Sequence, residues 1–196
     1  MLDRKRALRM ELARRRDNLG EKNRGEASET IARIAVELFR SHELIPAGFG
    51  PVVSGFFPFR SELDCRPLLS ALIDAGCITA LPVIVAADKP LTFRQWAPGE
   101  PLEPGVWNIP VPPVDATILV PDILLVPLLG FDNVGYRIGY GGGFYDRTLA
   151  SLKSDKKIIT IGLAFAAQEI DEVPREAHDM ALDWVLTETG LIRIGE

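Results

Sequence analysis

The sequence predicts an α/β fold, a single-domain three-layer open sheet of parallel strands with flanking helices. Three observations carry that expectation. Apolar runs of strand length alternate along the chain with segments of helical periodicity. The run at 123–129 is apolar throughout, as a buried strand is, and it stops at Gly130-Phe131-Asp132. Beyond it, four glycines occupy the five positions 139–143, followed directly by residues able to open a helix.

In chain order, the first helix is expected over 4–19, where Leu8, Leu12 and Leu19 fall on one face. Ile31, Ile34, Ala35 and Leu38 repeat the i, i+3, i+4, i+7 pattern and mark a second helix. Residues 52–57 read as a strand and 58–62 as the polar turn that follows it. Asp64 is placed to cap a helix carrying Leu68, Leu69, Leu72 and Ala75, with Gly76 as its stop. Another strand is expected over 78–85. Residues 97–113 are too dense in proline and glycine to form an element. Short strands at 117–120 and 123–129 lead to the glycine cluster, and 158–163 and 184–187 are the last strands expected. The chain has no internal repeat.

Composition is that of a globular protein, with 47% hydrophobic and 25% charged residues. A net charge of −5 argues against a general nucleic-acid binder. The charge is uneven: residues 1–40 hold 11 of the 22 Lys and Arg against only 7 acids. That N-terminus is either a solvated basic helix face or a partner for an anionic ligand held by the body. No apolar stretch reaches the roughly 18 residues a membrane span needs. Charges recur through 3–17, where a signal peptide requires an apolar core. Cys65 and Cys77 are too few and too isolated for a zinc site or a disulfide framework. A cytoplasmic setting is expected, without membrane or nucleic-acid partners.

The chemistry is concentrated in the glycine cluster. Glycines bring backbone N–H groups close to a ligand, because no Cβ blocks the approach. Ahead of a helix N-terminus, those groups form an anion site suited to phosphate. Arg137 and Arg147 flank the cluster with permanent charge. It is not a P-loop, since no Gly-Lys-Ser/Thr follows, and Phe144 stands where a dinucleotide fingerprint needs its third glycine. Asp146 either holds Mg²⁺ beside bound phosphates or complements the helix dipole. Asp179 is a second such acid or a surface loop residue. Lys5 and Arg9 share a helix face, with Arg6 beside them, and can clamp phosphates. Phe56, Phe57 and Phe59 belong to core by default, yet 58–62 reads as a strand-end loop, where α/β folds place ligand groups. Trp107 either covers a flat ring system or plugs the core.

Taken together, these segments resemble the 5-formyltetrahydrofolate cyclo-ligase (5,10-methenyltetrahydrofolate synthetase) family over nearly the whole chain. Lys5-Arg6-Ala7-Leu8-Arg9 is similar to the family's ATP-contacting segment, and Phe57–Asp64 to its folate-binding turn. Phe93-Arg94-Gln95-Trp96 and Trp107-Asn108-Ile109-Pro110 are similar to its middle region. Arg137 through Tyr145 matches its glycine-rich nucleotide segment. The resemblance implies an architecture similar to the NagB/RpiA/CoA transferase-like one. It implies ATP contacts at Lys5, Arg6, Arg9, Arg137, Gly139, Tyr140, Gly141, Gly142, Gly143, Phe144 and Tyr145. Folate contacts follow at Phe59, Glu62, Asp64, Trp107 and the stretch from Tyr140 to Phe144. Arg137 and Tyr145 would act in catalysis, and Asp146 and Asp179 would hold Mg²⁺. Phe144 departs from the tyrosine that family members usually carry, so ring stacking carries over and a phenol role does not. Where some members place Arg and Lys among the glycines, this chain has Tyr140 and Gly142, which shifts phosphate charge to Arg137, Arg147 and the N-terminal bases.

The implied reaction is ATP-dependent cyclisation of 5-formyltetrahydrofolate to 5,10-methenyltetrahydrofolate by a monomer. Two other classes share such a pocket: a sugar-phosphate isomerase or CoA-transferase-like enzyme, and a non-catalytic folate- or nucleotide-binding protein. The first needs neither ATP nor Mg²⁺, and the second releases no phosphate.

Overall fold

The computed structural model describes residues 2–46, 48 and 50–195, the side chain of Leu2 apart. Two helices, α1 (Leu2–Asp17) and α2 (Glu21–Ser41), precede β1 (Val52–Ser54), α3 (Arg66–Asp74) and β2 (Ile78–Val83). Next come β3 (Thr92–Gln95), the short pair β4 (Glu103–Pro104) and β5 (Pro110–Val111), and β6 (Ile118–Leu119). Strand β7 (Ile123–Pro127) leads through the hairpin β8 (Gly130–Phe131) and β9 (Arg137–Ile138) to α4 (Phe144–Asp155). The chain ends with β10 (Ile159–Leu163), β11 (Trp184–Thr187) and β12 (Gly190–Arg193).

The main sheet has the order β12-β11-β10-β7-β1-β2-β3-β6. Its five central strands are parallel, whereas β3, β6 and β12 pair antiparallel at the edges. The three layers follow from strand alternation. Ile123 and Leu125 of β7 pack with Leu68, Leu69 and Leu72 of α3 and with Ile31 and Phe39 of α2. Leu124 and Val126 point the other way, towards Leu149 of α4. From β1 the chain crosses through α3 to β2, and from β7 through α4 to β10 on the opposite side. Crossovers of one hand running in opposite directions place their helices on opposite faces, as α3 and α4 are. Strand order therefore reverses between β1 and β7, which opens a crevice at their carboxyl ends.

Several boundaries differ from the sequence expectation for local reasons. Strand β1 stops at Ser54 because the Cys65 thiol takes over Phe56, donating to its carbonyl at 2.9 Å and lying 3.4 Å from its N–H. Only a residue without Cβ fits at Gly55, where a Cβ would lie 2.8 Å from Leu69. Asp64 accepts the Arg66 N–H at 3.0 Å, although Cys65 is the formal cap of α3. Helix α2 starts well before its apolar stripe, directly after Gly20. The stretch 97–113 does hold an element, the β4–β5 pair closed by a 3-10 turn at Val106–Asn108. Strands β3 and β12 escape periodicity because each is four residues long and largely polar or half-exposed.

Helix α1 lies across the carboxyl end of the sheet. Leu12 packs with Leu129, Ile138 and Val173, and a Cβ on Gly130 would collide with it. Lys5, Arg9, Leu12 and Arg16 share one face, since their spacing keeps them within a narrow arc at 3.6 residues per turn. Three of these four are basic, and they point toward the protein rather than to water: Lys5 and Arg16 are buried.

Candidate active site

A cavity of about 920 Å³ opens at the carboxyl ends of β1, β2 and β7, at the point where strand order reverses. This volume falls within the range of small-molecule sites. One wall is the glycine loop with the start of α4. The aromatic turn after β1 forms a second part of the wall and meets the loop where Phe59 packs on Tyr140, and the exposed Trp107 also lines the cavity.

The loop conformation needs its glycines at two positions. Gly141 has φ +95° and lies against the Arg9 guanidinium, 3.1 Å from where a Cβ would sit. Gly143 adopts the left-handed conformation as N-cap of α4, and no side chain caps that helix. Phe144, Tyr145 and Asp146 form the first turn and all line the cavity, so the orphan N–H groups of the helix start border it. Arg9 braces the loop by donating from Nε to the Gly139 carbonyl at 2.9 Å. Arg147 lies outside the cavity lining. It donates to the carbonyls of Gly142 and Ala87 and stacks over the Phe144 ring, bracing the loop from behind.

Two acids distant in sequence meet at Met180. Asp146 Oδ1 accepts from Arg137 Nη2 at 2.8 Å and from the Met180 N–H at 3.2 Å. Arg137 also donates to the Met180 carbonyl at 2.6 Å. Beside this lies Asp179, whose Oδ2 accepts from Lys5 Nζ at 2.6 Å and from the Glu176 N–H at 2.7 Å. Glu176 holds Lys5 from a second side at 3.1 Å. Burial works against the Lys5 ammonium, but its bonds to both acids outweigh it and raise its pKa above the ordinary lysine value. Burial likewise opposes ionisation of Asp179, and Lys5 with the Glu176 N–H reverses that, holding the carboxyl low. Glu176, His178 and Asp179 bring their ligand atoms within 4.8 Å of one another.

The aromatic wall is built by Phe56, Phe57 and Phe59, with Phe59 edge-on to Tyr140 at 5.7 Å between ring centres. Glu62 turns back into this wall and accepts the Phe59 N–H at 2.8 Å. Burial pushes its carboxyl up to about 7, against the pull of that N–H and of Arg16. Burial also raises the Tyr145 phenol well above its ordinary value and, less strongly, that of Tyr140. Trp107 is 61% exposed, meets Phe144 edge-on at 5.9 Å, and has φ +56°. It covers the cavity rim rather than plugging the core.

Of the residues singled out from the sequence, Lys5, Arg9, Phe59, Glu62, Trp107, Arg137, Asp179 and the stretch Gly139 to Asp146 come together around this one cavity. Arg6 and Asp64 do not. Arg6 is exposed on the far side of its helix, and the Asp64 carboxylate is taken up by Arg66, with Nη2 to Oδ2 at 2.6 Å. Three contributors were not foreseen. Glu176 pairs with Lys5, and Arg60 lines the cavity. Arg16 is buried and donates to Tyr140, Ser61 and the Leu128 carbonyl. Its position eleven residues after Lys5, on the same helix face, is the signal that marks it.

Fold and site together define an α/β protein in which a strand, a glycine loop and a helix N-terminus present an anion site to an aromatic pocket. The chain belongs to the 5-formyltetrahydrofolate cyclo-ligase family, whose sequence model matches residues 2–188. A Haemophilus influenzae 5-formyltetrahydrofolate cyclo-ligase is 29% identical over 180 residues, 89% of this chain and 92% of that protein. The Escherichia coli K12 protein of the same name is 35% identical over 148 residues, covering 72% and 80%. Among solved structures, Aquifex aeolicus 5,10-methenyltetrahydrofolate synthetase superposes with a TM-score of 0.77 at 27% identity, covering 98% of this chain and 93% of that one. The Mycoplasma pneumoniae synthetase shares the fold, with a TM-score of 0.72 at 21% identity.

Proposed function

We propose that this chain, acting as one domain and a cytoplasmic monomer, converts 5-formyltetrahydrofolate and ATP to 5,10-methenyltetrahydrofolate, ADP and phosphate. The observation that carries this reading is the composition of one cavity, lined both by a glycine loop with a helix N-terminus and by an aromatic turn. The family and the named relatives support the reaction. Among the described residues, no helix is long and apolar enough to cross a membrane.

The acids suit a magnesium ion. Asp146 commits Oδ1 to Arg137 and Met180, and its other oxygen has no partner among the described residues. Asp179 commits Oδ2, and among the described residues its Oδ1 meets only His178, at 3.9 Å. Carboxylates with uncommitted oxygens next to a phosphate loop are the donors Mg²⁺ combines with phosphate oxygens. Bound there, the ion would neutralise charge on the β- and γ-phosphates.

The protein's share of the chemistry is placement and charge. The N–H groups of the loop and of the α4 start hold the phosphates, with Lys5, Arg9 and Arg137 around them. Phe56, Phe57 and Phe59 take the folate rings, and Glu62 takes polar atoms of the pterin in place of Asp64, which lies outside the lining. The formyl oxygen attacks the γ-phosphorus, and the bond to the β,γ-bridging oxygen breaks to release ADP. N10 then adds to the activated carbon and loses its proton, and the C–O bond to phosphate breaks. Tyr145, its phenol kept protonated by burial, donates a hydrogen bond to the transferring group while Arg137 balances its charge. Trp107 and Phe144 keep water from the activated carbon.

The test mixes protein with MgATP and 5-formyltetrahydrofolate and follows methenyltetrahydrofolate absorbance together with ADP. One ADP per methenyltetrahydrofolate is expected. ADP without the cyclised product, or no turnover, would refute the assignment.

A further inference from the structure

Five basic side chains line the cavity, and four are spoken for. Lys5 and His178 face Glu176 and Asp179, Arg137 is bound to Asp146, and Arg9 holds the Gly139 carbonyl. Among the described residues, the fifth, Arg60, meets no carboxylate and no carbonyl. Its guanidinium lies over the Phe59 ring, 4.9 Å from the ring centre, on the exposed side of the cavity. Its backbone has φ +57°, a conformation costly for a side chain with a Cβ. A strained, non-glycine residue at a ligand cleft is an outlier that asks for a function.

The turn gives the reason for the arrangement. Glu62 N–H reaches back to the Phe59 carbonyl at 3.2 Å while its carboxylate accepts the Phe59 N–H. This closed loop buries the Glu62 acid and leaves the Arg60 guanidinium exposed, over the Phe59 ring. A ligand against this turn has within reach a hydrogen-bond acceptor, an aromatic ring and a cation, all three of which line the cavity. A folate carries the complement: a donor-bearing pterin edge, an aromatic middle and a glutamate tail with free carboxylates. Arginine stacked on an aromatic ring keeps its fork of donors in the plane that suits a carboxylate.

We propose that Arg60 is a specificity-determining residue that binds the glutamate carboxylate of the folate substrate. The proposal rests on the folate reading of the cavity. Its test separates the two, because the parent protein must first turn over 5-formyltetrahydrofolate. KM and kcat are then measured with 5-formyltetrahydrofolate and with 5-formyltetrahydropteroate, which lacks the glutamate, for the parent, Arg60→Gln and Arg60→Lys. Arg60→Gln should raise KM for 5-formyltetrahydrofolate about five-fold, the size of an exposed ion pair. The effect should vanish with the pteroate substrate, and Arg60→Lys should recover part of the loss. Equal effects on both substrates, no effect on either, or a rise confined to the KM for ATP would overturn the proposal.

Discussion

Arg16 Nη2 donates to the Tyr140 hydroxyl at 2.5 Å, joining the buried face of α1 to the glycine loop. The same guanidinium donates from Nε to Ser61 Oγ at 3.1 Å, and Ser61 in turn donates to Asp17. One buried side chain thereby ties the glycine loop to the turn after β1, both of which line the cavity.

Removing the acceptor should loosen both. Tyr140→Phe keeps the ring against Phe59 and leaves one donor of a buried guanidinium unpaired, a cost of about 1–3 kcal/mol. Urea denaturation should show that loss, and KM should rise for both substrates. A rise for one substrate alone would mean that Arg16 does not couple the two walls.

Asp146 serves Arg137 and the Met180 N–H with one oxygen. Asp146→Asn retains that acceptor and removes the negative charge. Turnover should fall at least about 100-fold, in keeping with loss of electrostatic stabilisation of phosphoryl transfer, while the melting temperature changes little. Near-parental turnover at ordinary Mg²⁺ would remove Asp146 from the metal role.

Arg9 holds the loop, donating to the Gly139 carbonyl and lying against Gly141. Arg9→Ala should raise the KM for ATP about ten-fold, a 1.4 kcal/mol loss, and leave that for the folate within about two-fold. Initial rates with each substrate varied in turn decide this, and an unchanged ATP dependence would count against the clamp.

Glu62 supplies a pH signature. Its carboxyl is raised to about 7 from 4.5, chiefly by burial. Between those values the folded protein holds a proton that the unfolded chain has released, so this group's effect is a loss of stability as pH rises through the window. Above it the penalty is on the order of 3 kcal/mol. Glu62→Gln keeps an acceptor for Phe59 and should be more stable than the parent at pH 8, with the two converging near pH 4.5. Thermal melts across that range test it, and a less stable variant at pH 8 would contradict it.

The fold was largely legible because it rests on signals the chain states locally. Leu68, Leu69 and Leu72 mark α3, and the unbroken run 123–129 contains β7, buried on both faces. The edges were not legible: β3 and β12 are paired by neighbours already in place, and a four-residue stretch that is polar or half-exposed at most positions does not announce that. The site shows the same division. Gly139 to Asp146 is contiguous and chemically unusual, so it could be read. Arg16 carries only a weak signal, its place on the Lys5 face, because a basic residue on an N-terminal helix reads as solvated until tertiary structure buries it, and Glu176 is paired with Lys5 only by a contact distant in sequence. Asp64 misled for the converse reason, since the carboxylate a ligand could use is taken by Arg66 two residues on.

In the proposed reaction the folate formyl oxygen, rather than water, meets the γ-phosphate held by the glycine loop. Turnover of MgATP with 5-formyltetrahydrofolate labelled with ¹⁸O in the formyl group tests it directly, with mass analysis of the released phosphate. One labelled oxygen is expected in each phosphate released. Unlabelled phosphate formed alongside methenyltetrahydrofolate would contradict it.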